Sequence, residues 1–163
     1  MTDVTVDDVV ADLRDRLGEK LDSTEDNRGQ LIVRVAPEHR PDALRALKDA
    51  GFTFYVFCAG VDWPDSDRIE VLDLVYDYRA RKHVTVKCNL DRGNPRVPSA
   101  VKVFAGADWH ERETWELFGV HFTGHPRLVR LLLPDWQEGF PMRKDFELAP
   151  RVEKPWPGEF FEG

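Results

Sequence analysis

Residues 108–119 read DWHERETWELFG, and the rest of the chain is organised around this dense run of charged and aromatic side chains. Asp108 is a residue type that caps helix N-termini, and Glu111 three positions later completes a capping-box pattern. Gly119 supplies the left-handed stop that often follows a helix. The stretch therefore predicts one short helix over residues 109–118.

Three side chains of this helix fall at positions i, i+4 and i+7, namely Glu111, Trp115 and Phe118. The spacing places a carboxylate on the same stripe as two aromatic rings. An acid in such surroundings needs a cationic or hydrogen-bonding partner. We expect the rings of Trp115 and Phe118 to pack on the chain's own sheet.

The chain beyond Gly119 has no sustained helical or strand period. It begins with the turn-rich segment HFTGHP at 121–126 and continues with the apolar run LVRLLLP at 128–134. The remainder holds six large aromatic residues, which solvated loops do not usually carry: Trp136, Phe140, Phe146, Trp156, Phe160 and Phe161. We predict an α+β domain over 1–133 and an extended tail over 134–163 that lies against the domain or another protein.

The composition excludes several functional classes. The 163 residues carry 30 Asp and Glu against 23 Lys and Arg, a formal net charge of −7, without a basic cluster typical of nucleic-acid binding. No window approaches the roughly 20 apolar residues of a membrane-spanning helix. The N-terminus MTDVTVDDVV lacks the basic and apolar regions of a signal peptide. We expect a soluble, cytoplasmic chain.

The first part of the chain alternates helix and strand patterns. Apolar residues at helical spacing predict a helix over 6–17, and the polar segment 19–30 is typical of turns. The β-branched run 31–36 predicts a strand. A proline at the first helical position begins a second helix over 41–50, and Gly51 ends it.

Three more strands are predicted at 52–59, 69–78 and 82–90. The first has apolar residues on both faces, which is typical of a central strand. The richer face of the second consists of Leu72, Leu74, Tyr76 and Tyr78. Short links favour an antiparallel meander of these three, whereas strand 31–36 reaches them through a helix. The predicted fold class is α+β, with a mixed sheet of about four strands, flanking helices and an extended C-terminal tail.

Cys58 and Cys88 do not indicate a metal or redox centre. An iron–sulfur cluster generally needs four thiolates, and the two cysteines do not form a CxxC pair. Each lies on the apolar side of a predicted strand, where a free cysteine behaves as a small buried hydrophobe. If strand 69–78 separates their two strands, no disulfide between them is expected.

Three histidines raise the question of a metal site. His110 and Glu111 match the start of the zinc-protease motif HExxH, but Thr114 occupies the position of the second histidine ligand. His121 and His125 are four residues apart, yet the neighbouring glycine and proline oppose a helix through them. We favour histidines that cap turns, with a metal-dependent hydrolase using these histidines and Glu111 as a remote alternative.

The sequence has no recognisable catalytic apparatus. It contains neither GxGxxG nor GxxxxGK[ST], the glycine-rich phosphate loops, and no GxSxG nucleophile motif. Glu111, Glu113 and Glu116, interleaved with Arg112, favour a helix surface made for ion pairs over paired catalytic carboxylates. Residue chemistry alone favours a binding or assembly protein, with no catalytic, cofactor-binding or metal residues assigned.

The segment ERETWELFGVHFTGHPRLVRLLLPDWQEGFPMRKDFEL at 111–148 combines an acid-Arg-acid helix, a Gly-His-Pro turn, a Leu-rich run and an Arg-Lys-Asp-aromatic tail. Together with the GVDWP segment upstream, it resembles the signature region of the 30 kDa subunit of respiratory complex I, which is the C subunit of bacterial NADH-quinone oxidoreductase. The matching residues are Glu111, Arg112, Glu113, Trp115, Glu116, Phe118, Gly119, Gly124, His125, Pro126, Arg130 to Pro134, Pro141, Arg143, Lys144, Asp145 and Phe146.

This resemblance implies a cofactor-free, non-catalytic subunit in the peripheral arm of a proton-translocating NADH:quinone oxidoreductase. It implies that the chain docks on the quinone-site subunit, of the 49 kDa type, and on iron–sulfur subunits. FMN, iron–sulfur clusters and quinone would be bound by these partner subunits. The location would be the cytoplasmic side of the cell membrane, through the complex alone. The signature residues would form the interface, and the tail would add the aromatic anchors Trp136, Phe140, Phe146 and Trp156.

The resemblance leaves the electron donor open, because membrane-bound NiFe-hydrogenases and F420H2 dehydrogenases contain similar subunits. The chain carries no fused domain of the quinone-site type, so we expect the stand-alone form of the subunit. The quinone type and the number of partner subunits do not follow from the residues.

Overall fold

The structure is a computed structural model that describes residues 6–147. The predicted anchor Trp156 and the aromatic residues Phe160 and Phe161 lie outside this range. The α-helices of the described part are α1 (Val6–Leu17), α2 (Arg40–Asp49) and α3 (Ala107–Phe118), and its 3₁₀ turns are Gly18–Lys20, Pro37–His39 and Pro64–Ser66. No helix within residues 6–147 has the length and apolar character needed to cross a membrane.

The strands of the described part form two sheets. They are β1 (Leu21–Asn27), β2 (Gln30–Val35), β3 (Phe54–Trp63), β4 (Arg68–Asp77), β5 (Lys82–Asp91), β6 (Arg96–Pro98) and β7 (His121–Thr123). The main sheet has the order β1-β2-β5-β4-β3, with β2 and β5 parallel and the other pairs antiparallel. The predicted α+β class, mixed sheet and β3-β4-β5 meander are confirmed.

Strand β1 corrects the prediction of turns over 19–30. Its sequence LDSTEDN has no alternating apolar pattern, and only Leu21 and Thr24 are half-buried. It pairs with β2 across a turn at Arg28 and Gly29, which both have positive φ. A polar strand at the edge of a sheet needs no apolar face, and its charges oppose pairing with other chains.

Strand β3 lies at the opposite edge of the main sheet, so the prediction of a central position is wrong. A bulge after Tyr55 shifts the register, and Tyr55 and Cys58 are both buried while Phe54 is 45% exposed. The strand also extends through residues predicted as loop, to Trp63. Helix α3 packs beside β3, which accounts for the apolar side chains of this edge strand.

The core side of β4 is not the richer face named from the sequence. Its fully buried apolar residues are Ile69, Val71 and Val75. Leu72 and Leu74, on the richer face, are only half-buried. The number of apolar residues on each face did not identify the buried side, because that side also contains Asp73, which is 0% exposed. A fully buried carboxylate needs a cationic or hydrogen-bonding partner.

Helices α1 and α2 confirm their predicted positions, and Gly51 follows α2 with a φ of 109°. Their apolar stripes pack on each other and on the sheet. Buried residues of these stripes include Val9, Leu13, Leu17, Leu44 and Leu47. Helix α3 approaches β3 at Gly60, where a Cβ atom would lie 2.8 Å from the Phe118 ring, so only glycine fits this contact without a shift.

The two cysteines are free and buried, and β4 separates their strands, as predicted. Burial raises the pKa of the Cys58 thiol well above its ordinary value, and the charge of Asp73 adds to this effect. Burial likewise raises the pKa of Cys88 to about 12. Both are therefore protonated, unreactive thiols at neutral pH.

Strands β6 and β7 form a short parallel pair that brings together the chain before and after α3. β6 lies within the segment predicted as loop, and its proline is tolerated in so short a strand. After β6 the chain turns at Ser99, whose hydroxyl accepts the Val101 N–H at 3.2 Å. The division into a domain over 1–133 and a tail over 134–163 stays a prediction.

Candidate functional site

Helix α3 begins at Ala107, two residues before the predicted start. Gly106 is its N-cap and no side chain caps it, so the predicted capping box of Asp108 and Glu111 is wrong. Glu111 is instead fully buried and bonds to other parts of the fold. The predicted stop is confirmed, because Gly119 has a φ of 77° and its N–H bonds back into the last turn.

Arg40, at the start of α2, is the centre of a buried ion network. Its guanidinium donates two hydrogen bonds of 2.7 Å to the Asp73 carboxylate of β4 and one of 2.9 Å to Glu111 of α3. Another bond of 2.7 Å reaches the Pro98 carbonyl in β6. The three charged side chains are 0% exposed. A single side chain thus joins α2, the sheet and α3.

Neighbouring groups complete the hydrogen bonding of both carboxylates. The Tyr55 hydroxyl donates to Asp73, and the Ser99 hydroxyl donates to Glu111 at 2.6 Å. Burial raises the pKa of Tyr55, and the charge of Asp73 raises it further. Burial opposes the charge of Arg40, but the Asp73 carboxylate raises the Arg40 pKa overall. One guanidinium thus serves two carboxylates that neighbouring groups also hydrogen-bond, and the desolvated network is a structural joint.

Residues 124–146, the signature loop, contain no helix or strand and run along α3. The side chain of Arg112 donates to two consecutive loop carbonyls at 2.9 and 2.7 Å, those of Val129 and Arg130. The buried carboxylate of Glu116 accepts three consecutive loop N–H groups at 3.0, 2.7 and 3.2 Å, those of Leu131, Leu132 and Leu133. Arg112 and Glu116, from the predicted ion-pairing surface of the helix, therefore bind backbone groups, whereas Glu111 pairs with Arg40 and also accepts the Ala100 N–H at 2.7 Å.

Arg130 organises the next turn from within the signature loop. Its guanidinium donates to the carbonyls of Pro134 at 3.0 Å and Gln137 at 2.7 Å. Trp136 lies between these two residues and is 78% exposed. The loop is thus folded by charged side chains that bind its own backbone, in place of a strand partner.

Arg143 anchors the end of the signature loop to the end of α3. Its Nε donates to the Phe118 carbonyl at 2.7 Å, where a cation also complements the helix dipole. The guanidinium lies 4.7 Å from the centroid of the Phe140 ring. A Cβ atom on Gly119 would meet this ring at 2.6 Å. Glycine is therefore needed at 119 both for its positive φ and for the close approach of Phe140.

A second anchor joins the signature loop to the ends of β3 and β5. Arg92 pairs with Asp62 at 2.7 Å and with Asp145 at 2.9 Å. The Lys144 backbone N–H donates to the Asp62 carboxylate at 2.8 Å. The bond from Arg92, together with that from Lys144, lowers the pKa of Asp62 despite its burial. Asp62 is therefore ionised at neutral pH.

The three histidines serve separate local roles. The Nδ1 atom of His125 accepts the Arg127 N–H at 3.0 Å, and its Nε2 lies 3.2 Å from the Asp108 carbonyl, so the loop begins beside the start of α3. His110 is half-buried on α3, and His121 is exposed in β7. Within residues 6–147 no three His, Cys, Asp or Glu side chains are arranged to hold a metal ion. Within this range the hydrolase alternative therefore lacks the set of metal ligands that it requires.

The helix and its loop leave large apolar side chains in solvent. Those exposed by more than two fifths are Trp109 (68%), Val129 (41%), Leu132 (61%), Trp136 (78%) and Met142 (54%). Of the predicted tail anchors, Trp136 is thus free to contact a partner. Phe140 is 38% exposed beside Arg143, and Phe146 is half-buried near Gly139.

Most predicted signature residues meet at this helix–loop unit. Trp115 and Phe118 pack against the core, as expected. The side chains of Glu113 and Lys144 make no hydrogen bond or ion pair with the described residues. The sequence reasoning missed four charged residues that hold the unit to the sheet, namely Arg40, Asp62, Asp73 and Arg92. One signal was available, because a lone acid in the apolar run of β4 implies a buried partner.

Comparison with known proteins places these residues in a family pattern. The family described as the respiratory-chain NADH dehydrogenase 30 kDa subunit matches residues 33–152. The NADH-quinone oxidoreductase C subunit of Roseiflexus sp. strain RS-1 is 39% identical over 145 residues, which cover 86% of this chain and 83% of the relative. The corresponding C 1 subunit of Rhizobium meliloti strain 1021 is also 39% identical over 145 residues, with coverages of 86% and 72%.

Two solved structures are similar to this fold. One is a chain from the membrane-bound sulfane sulfur reductase, an archaeal respiratory membrane complex, with a TM-score of 0.78 and 25% identity, covering 87% of this chain and 85% of that one. The other is a trypsin-resistant fragment of Nqo5, with a TM-score of 0.63 and 25% identity, covering 76% and 98% respectively. Sequence and fold thus agree on one group of relatives.

Proposed function

Since this chain belongs to the family of the 30 kDa subunit of respiratory-chain NADH dehydrogenase, we propose that it is a non-catalytic structural subunit in the peripheral arm of a proton-translocating NADH:quinone oxidoreductase. It docks on the quinone-site subunit and on iron–sulfur subunits. By holding them in register, it supports electron transfer from NADH to quinone.

The observation that carries this proposal is the family match over residues 33–152. That range includes the main sheet from β2 onwards, α3 and the described signature loop. In the proposed role the chain needs no cofactor of its own, and FMN, iron–sulfur clusters and quinone belong to partner subunits. The chain reaches the cytoplasmic side of the membrane through the complex, as a peripheral subunit.

The chemistry of the signature residues supports a structural role over a catalytic one. Glu111 is 0% exposed and bonded to Arg40, so it cannot reach a substrate. Glu116 holds three backbone N–H groups, and Arg112 holds two carbonyls. A general acid or base must lie within hydrogen-bond reach of its reactant, whereas these groups bind other parts of the same chain. They can fix the shape of a surface.

A second candidate is the corresponding subunit of a related membrane complex, such as a NiFe-hydrogenase or an F420H2 dehydrogenase. The likeness to a chain of an archaeal respiratory membrane complex favours keeping it. The two candidates share a structural role and differ in the electron donor of the assembly. Identification of the co-purified catalytic subunit distinguishes them.

The proposal is tested by recovering the tagged full chain, in mild detergent, from membranes of the cells that make it. Mass spectrometry and an iron assay then identify what accompanies it. We expect the quinone-site subunit, iron–sulfur subunits and an NADH-binding flavoprotein. A hydrogenase or F420H2-binding subunit in place of the flavoprotein would select the second candidate. Recovery of the chain alone, without iron, would contradict both.

A further inference from the structure

We infer that the signature residues act mainly as a scaffold, and that the partner subunit is contacted by the exposed apolar side chains that this scaffold presents. These side chains, the display surface, are Trp109, Val129, Leu132, Trp136 and Met142. The inference rests on the proposed function and deepens it, because it separates the residues that shape the interface from those that touch the partner.

The display surface follows the length of α3. The loop begins where His125 lies beside Asp108, next to Trp109. Further along, the Val129 carbonyl meets the Arg112 side chain. At the C-terminal end of the helix, the Met142 N–H donates to a carbonyl of the last turn at 3.1 Å. The loop backbone is thus fixed at successive points along a 12-residue helix, which is about 18 Å long.

The backbone beneath the display surface is held in place before any partner arrives. The N–H of Leu132 donates at 2.7 Å to the buried Glu116 carboxylate, while its side chain is 61% exposed. Charge-assisted bonds of this kind are short and strong. Because the loop is already ordered, binding does not have to supply the entropy of ordering it. A preorganised apolar surface of this kind suits a protein partner.

The charges around the display surface favour a protein subunit over a lipid bilayer. Apart from the buried Glu111 and Glu116, residues 108–146 contain five Asp and Glu and five Lys and Arg, and the whole chain has a net charge of −7. Helices that bind anionic membranes carry an excess of Lys and Arg on the polar side. An apolar centre with charges of both signs at its edge is typical of a protein interface. The occupant we infer is another subunit of the same oxidoreductase.

Two variants test the display surface directly. Leu132→Asp and Trp109→Glu place a charge on exposed positions whose side chains make no hydrogen bond within residues 6–147. Tyr78→Asp is the matched control, since Tyr78 is 63% exposed and lies outside the helix–loop unit. The tagged full chains are recovered from their own membranes in mild detergent. We expect at least a tenfold loss of partner subunits for the two variants, an unchanged melting temperature, and normal recovery for the control.

A third variant separates the scaffold from the contact. Glu116→Gln should speed amide hydrogen exchange at 131–133 and also reduce partner recovery, whereas Leu132→Asp should reduce recovery and leave exchange unchanged. Normal recovery with both Leu132→Asp and Trp109→Glu would overturn the inference and leave the proposed function intact. A wild-type chain that recovers no oxidoreductase subunit would overturn the proposed function, and the inference with it.

Two other occupants are outcomes of the same experiment. If the wild-type chain binds vesicles of phosphatidylglycerol and phosphatidylethanolamine and Leu132→Asp abolishes this binding, the occupant is a membrane surface and not a subunit. If light scattering shows a dimer and Leu132→Asp converts it to a monomer, the occupant is a second copy of this chain. Either result would overturn the inference.

Discussion

The main sheet and the signature loop both contact α3 and satisfy their backbones in different ways. Strands β2 to β5 bond to one another along continuous ladders, so no single side chain is needed for the pairing. The signature loop has no such partner. Its carbonyls and N–H groups bind the side chains of Arg112, Glu116 and Arg130, while its own Arg143 donates to the Phe118 carbonyl of α3.

The difference determines how each region responds to substitution. A ladder spreads its stability over many bonds and many apolar contacts, whereas the loop concentrates it in a few charged side chains. Removal of one partner from a charge-assisted bond leaves buried backbone groups unsatisfied. The sheet should therefore tolerate most single polar substitutions, while the loop should fail locally. Arg40 lies at the junction, since it bonds to both the sheet and α3.

The largest effect is expected from Arg40→Met, which breaks the junction between the main sheet and α3, the helix that the signature loop binds. The change leaves Asp73 and Glu111 as buried carboxylates without a cation, which typically costs about 3–5 kcal/mol. Urea unfolding followed by circular dichroism measures the loss. Arg45→Met on the exposed side of the same helix is the control and should stay within about 0.5 kcal/mol of wild type. A loss below about 1 kcal/mol for Arg40→Met would contradict the central role of the network.

A smaller and local effect is expected from Glu116→Gln. The neutral amide offers one acceptor oxygen to three N–H groups, which should weaken the loop by about 1–3 kcal/mol while the sheet stays folded. Hydrogen exchange with mass spectrometry should show faster exchange at 131–133 and unchanged protection in β4 and β5. Glu113→Gln, on the same helix and without an internal bond to the described residues, should change neither. Equal loss of protection in both regions would show that they unfold as one unit.

The smallest effect concerns pH and the bond between Asp62 and Arg92. Since the folded pKa of Asp62 is lowered, its contribution is present above the unfolded value of about 3.9 and is lost as pH falls through the folded value. Melting temperatures of wild type and Asp62→Asn should therefore differ most above pH 5 and converge as the pH falls below the unfolded value of about 3.9 and through the folded value. A difference that is constant with pH would mean that the carboxylate contributes by shape alone.

The sequence predicted the elements whose signals are local. Helices α1 and α2, the β3-β4-β5 meander and the stop of α3 at Gly119 follow from periodicity and turn residues. Strand β1 has no such signal, because the polar residues of this edge strand are also typical of turns. The face of β4 was misread for a related reason. Asp73 lies on the buried side, and Arg40 from another element makes its burial possible.

The candidate site shows the same division. The sequence identified the signature segment, and it excluded phosphate loops and nucleophile motifs from the chain. It could not assign roles within the segment, because the local sequence does not show whether an acid on a helix pairs with a cation, caps the helix or binds a loop. Glu111 was predicted to cap the helix and is buried against Arg40, which lies 71 positions away.

What the sequence determined by itself is the set of helices, most strands and the family pattern, since these depend on residues that are close along the chain. Tertiary structure alone decided which face of β4 is buried, which charges meet and which apolar side chains stay exposed. Those outcomes depend on contacts between distant segments, such as Asp62 with the backbone of Lys144. A charge is stable in the core only when folding brings its partner, and the partner is invisible from either position alone.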